Sequence, residues 1–220
     1  MGTIEIDTST KIIRIASNII CYGNAADYDI AQHIALEIET MWNEPNALVE
    51  FNNTSFFVRF EITAQYNSWL QPQTVTENVN PKNNYFRIEE YSKKDISYVD
   101  GIGSNTGYFK LANLYKGSTT AAHEYGHSLG LLHPNELNII GKGRPGIMYP
   151  RGSLVDPEFQ NDVTALPAGP GGTLNPQNRK VMQVDIDNLQ LNKLIERGFF
   201  VVGKFTNRYH EAHVKENNVT

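Results

Sequence analysis

The sequence predicts an α+β fold in a single domain, and three observations carry that prediction. A chain of 220 residues that is 40% hydrophobic is long enough for one substantial core and short for two. Its first half holds several short runs of alternating apolar and polar residues, the pattern of half-buried strands. Between and after them lie stretches with helical spacing and helix-boundary residues.

Residues 4–20 alternate as a strand or hairpin, with a polar break at Asp7-Thr8-Ser9-Thr10. Residues 27–42 form an amphipathic helix in which Ile30, Ile34, Ile38 and Met41 are spaced for burial, and Asn43-Glu44-Pro45 ends it. Residues 47–51 and 56–66 read as two strands around the turn Asn52-Asn53-Thr54-Ser55. The run 68–84 is rich in Pro, Gln, Asn and Thr and reads as a surface loop. Residues 85–90 and 97–99 are strand-like, and 101–108 is a glycine-punctuated approach to Tyr108-Phe109-Lys110-Leu111. Residues 151–173 contain Pro157, Pro167 and Pro170-Gly171-Gly172 and predict a long irregular segment, of the kind that is usually functional or mobile. Asn175-Pro176 then opens a helix to about residue 197, ended by Gly198. In the tail, 199–202 reads as an added strand, and His210 and His213 read as solvated tail histidines rather than a second metal site. His33 in the first helix reads as a satisfied or solvent-facing histidine.

The chemistry concentrates in His123-Glu124-Tyr125-Gly126-His127-Ser128-Leu129-Gly130-Leu131-Leu132-His133, an HExxHxxGxxH string. Residues four apart share a helix face, so His123 and His127 can point imidazole nitrogens at one ion while Glu124 projects beside it. Gly130 lets the chain leave the helix sharply with a positive φ and return His133 as third ligand. Three neutral imidazoles leave a fourth position open for water, as in catalytic rather than structural Zn2+ sites. Zinc lowers that water's pKa to about 7, and Glu124 is placed to accept its proton and pass it to a leaving amine. The competing reading is an ordinary amphipathic helix that carries five such residues by chance. Ala122, Tyr125, Leu129 and Leu132 give the helix a buried face, and Gly117-Ser118 offers an N-cap.

These residues resemble the metzincin clan of zinc endopeptidases, whose long histidine motif is followed by a methionine turn. Arg144-Pro145-Gly146-Ile147-Met148-Tyr149-Pro150 supplies a methionine in a Pro/Gly-bounded turn, and the resemblance makes Met148 an apolar floor beneath the imidazoles. Pro134 after the third histidine is similar to serralysins, and Ile147-Met148-Tyr149-Pro150 to matrixins. Serralysins and astacins place a tyrosine two residues after the methionine, near the oxyanion. Here Pro150 stands there, so Tyr149 and Pro150 are expected to wall the substrate pocket instead. Val184-Asp185-Ile186-Asp187-Asn188-Leu189-Gln190 resembles a matrixin C-terminal helix, in which Asp185 would hold the methionine turn; alone, it reads as a solvated helix aspartate. Val184 replaces the aspartate that would pair with a freed N-terminus, so activation through such a pair is not expected.

The resemblance implies a twisted mixed sheet with two long helices in an N-terminal subdomain, 1–133, and a smaller irregular C-terminal subdomain, 134–198, with one helix and then a 199–220 extension. It also implies an edge strand within 97–111 that holds an extended protein or peptide substrate as an added strand. Residues 151–173 would shape the pocket for the residue after the cleaved bond. The alternative function is a non-catalytic binding or adhesion domain that keeps zinc for stability.

A formal charge of −5 and a pI near 5.7 argue against nucleic acid, which calls for a basic stripe. No apolar run approaches the roughly 20 residues of a membrane span. Cys21 is the only cysteine, and Ile19-Ile20-Cys21-Tyr22 reads as the end of a buried strand, not a thiolate that blocks zinc. Met1-Gly2 leads straight into strand-like sequence rather than a basic and then apolar leader. Metzincins generally act outside the cell, so the resemblance implies a secreted or exported monomer, and the composition also fits a bacterial toxin or effector module cut from a longer protein.

Overall fold

In the computed structural model, residues 1–215 are described; the last five residues of the 199–220 extension lie outside the described residues. The chain forms a mixed α+β structure around one eight-stranded curled sheet. Its centre is β2 (Ile12–Tyr22), where Ile13, Ile15, Ile19 and Cys21 are fully buried. On one side β2 pairs in parallel with β4 (Thr54–Tyr66), which pairs antiparallel with β3 (Leu48–Phe51). The other side is shared along its length. The first half of β2 meets β1 (Gly2–Asp7) antiparallel, and from Asn18 onward it meets β5 (Asn83–Glu89) in parallel. Beyond β5 the sheet continues through β7 (Thr106–Lys110) to β6 (Tyr98–Val99) at the end of the order. The short β8 (Val201–Val202) adds to β1, as 199–202 led one to expect.

Helix α1 (Tyr28–Asn43) starts where Asp27 caps it by accepting the Ile30 N–H at 2.7 Å. Its buried Ala31, Ile34, Ile38 and Trp42 face the sheet and recur at the helical period. Trp42 also fixes the neighbouring helix that carries His123 and His127. Its indole N–H donates to Ala122 O at 3.1 Å, and its ring meets Phe60 and Tyr125 at centroid distances of 5.2 and 5.8 Å. Such tilted aromatic contacts add about 0.5–1.5 kcal/mol each beyond area burial.

Several details depart from the sequence expectations. The loop at 68–84 contains a one-turn helix, α2 (Pro72–Thr76), and gives its last two residues to β5. The N-terminal part has one long helix, not two. The histidine-bearing helix α3 (Thr120–Ser128) is nine residues long, because the backbone turns left-handed at Gly130 with φ +106°. All nine of its residues are buried, so it has no solvent face, whereas Leu132, past its end, is 69% exposed. The expected C-terminal helix is replaced by a 3-10 turn at Pro176–Asn178 and two short helices, α4 (Gln183–Asn188) and α5 (Leu191–Glu196). Gln190, with φ +51°, separates those two helices; a left-handed residue cannot continue a right-handed helix.

The tail histidines are not solvated. His210 is 9% exposed and bonds Asp100 at 2.8 Å through Nε2. Its backbone N–H donates to the Tyr22 hydroxyl, and its carbonyl accepts from Arg87, which is ion-paired with Glu89 at 2.6 Å. The His213 ring stacks on Tyr108 at 4.0 Å. These acceptors and rings lie on residues remote in sequence, so no local pattern in the tail announces them. Cys21 is fully buried, and burial pushes its thiol up to about 12, the inert state expected.

Candidate active site

Helix α3 runs between α1 and β6, and both sides hold it by polar contacts. Its first turn is capped differently from expectation. Ser118 precedes the cap, and its hydroxyl accepts the Thr120 N–H at 3.3 Å. The cap position is Thr119, with φ +56°, whose hydroxyl instead donates to Pro176 O at 2.8 Å and accepts from Arg179. Glu37 of α1 reaches across to accept the Ala122 N–H at 3.2 Å. At the far end, Ser17 of β2 hydrogen-bonds the Tyr125 hydroxyl at 2.7 Å, and the Met1 amine donates to Ser128 Oγ at 3.2 Å.

His123 and His127 lie one turn apart on α3 and are 7% and 8% exposed. His123 Nδ1 is 2.7 Å from Ile147 O, and His127 Nδ1 is 2.8 Å from Leu131 O. A carbonyl only accepts, so each Nδ1 carries the proton and each Nε2 presents a bare lone pair. His133, the exposed member, brings its Nε2 to 3.1 Å from that of His123 and 3.0 Å from that of His127. Burial lowers the pKa of all three rings, which keeps them neutral and able to bind a metal. The two fixed lone pairs, with the His133 Nε2 beside them, make a cluster that a cation can occupy. The pinning of Nδ1 by carbonyls is also the outer arrangement that metal-ligating histidines use. The donor set thus fits a single Zn2+.

Glu124 is 8% exposed and lines the same space. Burial pushes its carboxyl up to about 8, against the opposing pull of the Arg179 charge and of the Val99 N–H directed at it. Val99 belongs to β6, so the edge strand faces the reacting groups. A cleft of about 470 Å³ lies between that strand and the three histidines, with Ile96, Tyr98, Val99 and Leu132 among its walls.

The methionine turn sits beneath α3. Met148 is 4% exposed, and a Cβ built on Gly126 would fall inside the van der Waals envelope of the Met148 sulfur, as well as 3.2 Å from Trp42 Cζ2. Gly126 therefore allows the helix and the turn to approach. Asp185 is 5% exposed, not a solvated helix residue. Its carboxylate accepts the Met182 N–H at 2.8 Å, and the Ile147 N–H also faces it. Burial pushes this carboxyl up to about 6. Tyr149 lines a cavity of about 640 Å³, which reaches the histidines only through His133 and otherwise runs among Met148, Met182, Val184 and Asn188. Pro150 lines a smaller cavity of about 230 Å³ that reaches His123 and Glu124 directly. We place the chemistry with the smaller spaces, because the general-base candidate lines them and not the 640 Å³ cavity. Of the irregular segment 151–173, Arg151 alone lines any of these cavities.

Sequence reasoning missed Gly126, Glu37, Trp42 and Arg179. Gly126 had a signal, since an interior helix glycine costs about 1 kcal/mol against alanine and usually marks close packing. Arg179 had none. It is 4% exposed and ties the start of α3 to the methionine turn, bonding Thr119 Oγ1 at 2.8 Å, Tyr149 O at 3.2 Å and Ser118 O at 3.3 Å.

No family model and no curated protein matches the chain. Among solved structures, the crystal structure of archaemetzincin from Methanopyrus kandleri is similar, with a TM-score of 0.41 and 10% identity over 81% of this chain and 96% of that one.

Proposed function

We propose that the protein is a zinc-dependent endopeptidase in which His123, His127 and His133 hold the metal and Glu124 is the general base. The observation that carries this reading is the convergence of three Nε2 atoms, two of them on rings whose Nδ1 protons are committed to backbone carbonyls, with a buried carboxyl alongside. When bound, the ion supplies Lewis-acid polarisation of a peptide carbonyl and of water.

The chain's own residues do the rest. An extended peptide adds to the free edge of β6, and this fixes the scissile carbonyl over the histidines. Glu124 takes a proton from the attacking water and returns it to the leaving amine. A group that must do both works best with a pKa near the ambient pH. Burial, partly offset by the Arg179 charge and the Val99 N–H, brings Glu124 to about 8, close to that range. Met148, packed on Gly126, and Asp185, which faces the Ile147 N–H, hold the carbonyl on which His123 leans.

The test pairs elemental analysis with cleavage of an unstructured protein such as casein by the wild type and Glu124→Gln. The expected outcome is one zinc per chain in both and a loss of turnover of at least about a hundredfold in the variant, the scale of general-base catalysis. Zinc in both with no cleavage by the wild type would favour a binding module, and full activity in the variant would remove Glu124 from the mechanism.

A further inference from the structure

The cavity of about 230 Å³ beside the reacting groups has an electrostatic character that the peptidase reading leaves unused. Besides His123 and Glu124, its walls include Thr120, Pro150, Arg151 and Arg179. Arg179 is more than nine-tenths buried, yet its three hydrogen-bond partners are all neutral oxygens. A guanidinium carries five N–H donors, so two are left over. Among the described residues no carboxylate lies within ion-pairing distance of it, although buried arginines are normally paired because an uncompensated buried charge is costly. The second cation sharpens the imbalance. Arg151 stands exposed on the wall of the same cavity, and its charge acts against that of Arg179. The remaining acid on the wall, Asp95, is occupied by Lys110.

Two guanidiniums facing one small space that opens on the reacting centre make a receptor for a planar anion, which arginine binds through paired N–H groups. We propose that this cavity is a subsite for a carboxylate of the peptide substrate, held by Arg179 from within and Arg151 from the wall, so that the enzyme prefers bonds flanked by an acidic group. The proposal rests on the peptidase reading for its consequence in turnover, though not for binding itself. The carboxylate comes either from an Asp or Glu side chain next to the cleaved bond or from the C-terminus of a short peptide.

Matched peptides test both sources: Glu against Gln on each side of the cleaved bond, each with a free or amidated C-terminus. The expected result is a Glu over Gln advantage in kcat/KM of about tenfold to a hundredfold on one side only, the range of a charge-assisted bond. That ratio collapses toward unity in Arg151→Gln and in Arg179→Lys. Because Arg179 also braces α3, Arg151→Gln, at an exposed position, is the variant that decides if Arg179→Lys fails to fold. An advantage of free over amidated C-termini alone would assign the carboxylate to the chain end. Calorimetry of the same peptides with metal-stripped protein gives a readout independent of turnover. Unequal affinity for Glu and Gln peptides with no cleavage of any substrate would overturn the peptidase reading and keep the subsite. Equal kcat/KM and equal affinity for every acid and amide pair would overturn the subsite and leave the peptidase reading intact.

Discussion

Gly126→Ala probes the contact between the active-site helix and the methionine turn, and the sign of its effect is the informative quantity. In an uncrowded helix interior the change stabilises by about 1 kcal/mol, because glycine loses more backbone entropy on folding. Here the new methyl would enter the space of the Met148 sulfur and stand 3.2 Å from both Met148 Cε and Trp42 Cζ2. Met148 and Trp42 are 4% and 1% exposed, so neither moves without disturbing the core. Overpacking of this kind costs about 1–3 kcal/mol. The two terms leave a net destabilisation of about 1 kcal/mol, a fall in Tm of about 2–4 °C for a chain of this size. Thermal unfolding of the chelated protein measures it. In a Met148→Ala background the sulfur and its methyl are gone and only the 3.2 Å approach to Trp42 Cζ2 remains, so Gly126→Ala should lose most of its cost, a coupling of about 1 kcal/mol between the two sites. A rise in Tm on Gly126→Ala alone would refute the close approach of turn and helix and, with it, the account of what supports the histidines.

Asp185→Ala removes the acceptor of the Met182 N–H and the partner of the Ile147 N–H, at about 1–3 kcal/mol for each donor left unpaired. The carboxyl's folded pKa of about 6 lies above its unfolded value, so burial of the charge costs stability above pH 6 and the cost is relieved as pH falls toward 4. The destabilisation by Asp185→Ala should therefore be larger at pH 5 than at pH 7.5, by about 1 kcal/mol in urea unfolding; a pH-independent difference would contradict the buried ionised state. For the three histidines the sign is opposite. Their folded pKa values lie below 6.5, so the chelated protein loses stability as pH falls below about 6.5 and the unfolded chain takes up protons. Zinc at a thousandfold over its Kd should add about 4 kcal/mol near neutrality and progressively less in acid, read as Tm with and without chelator at each pH.

The parts of this molecule that sequence made legible are those whose determinants are local. The amphipathic helix α1, the hairpin break at 7–10 and the left-handed Gly130 each follow from residue type and immediate neighbours. The three histidines could be grouped because a helix and one turn bring them together within eleven residues. What stayed hidden depends on partners far along the chain. Arg179 gains its meaning from Thr119 and Tyr149, Glu37 from the Ala122 amide, and His210 from Asp100. The division of the last helix at Gln190 was hidden for another reason: a glutamine carries no intrinsic preference for a left-handed backbone, so tertiary packing overrode propensity there.

The tail that crosses the sheet also bears on the order of events during synthesis. Asp100 follows β6 and Tyr108 lies in β7, yet their partners His210 and His213 are made 110 and 105 residues later. The helix with its three histidines and the glutamate is complete well before these clasps exist. While the chain is still being made, the ligands are present but the edge that is proposed to align a substrate lacks its outer brace. Domains tend to fold from the N-terminus as they emerge. In this one, the wall opposite the three histidines is finished only after the chain has been extended through residue 213, so under the proposed function the capacity to hold a metal would precede the capacity to grip a polypeptide.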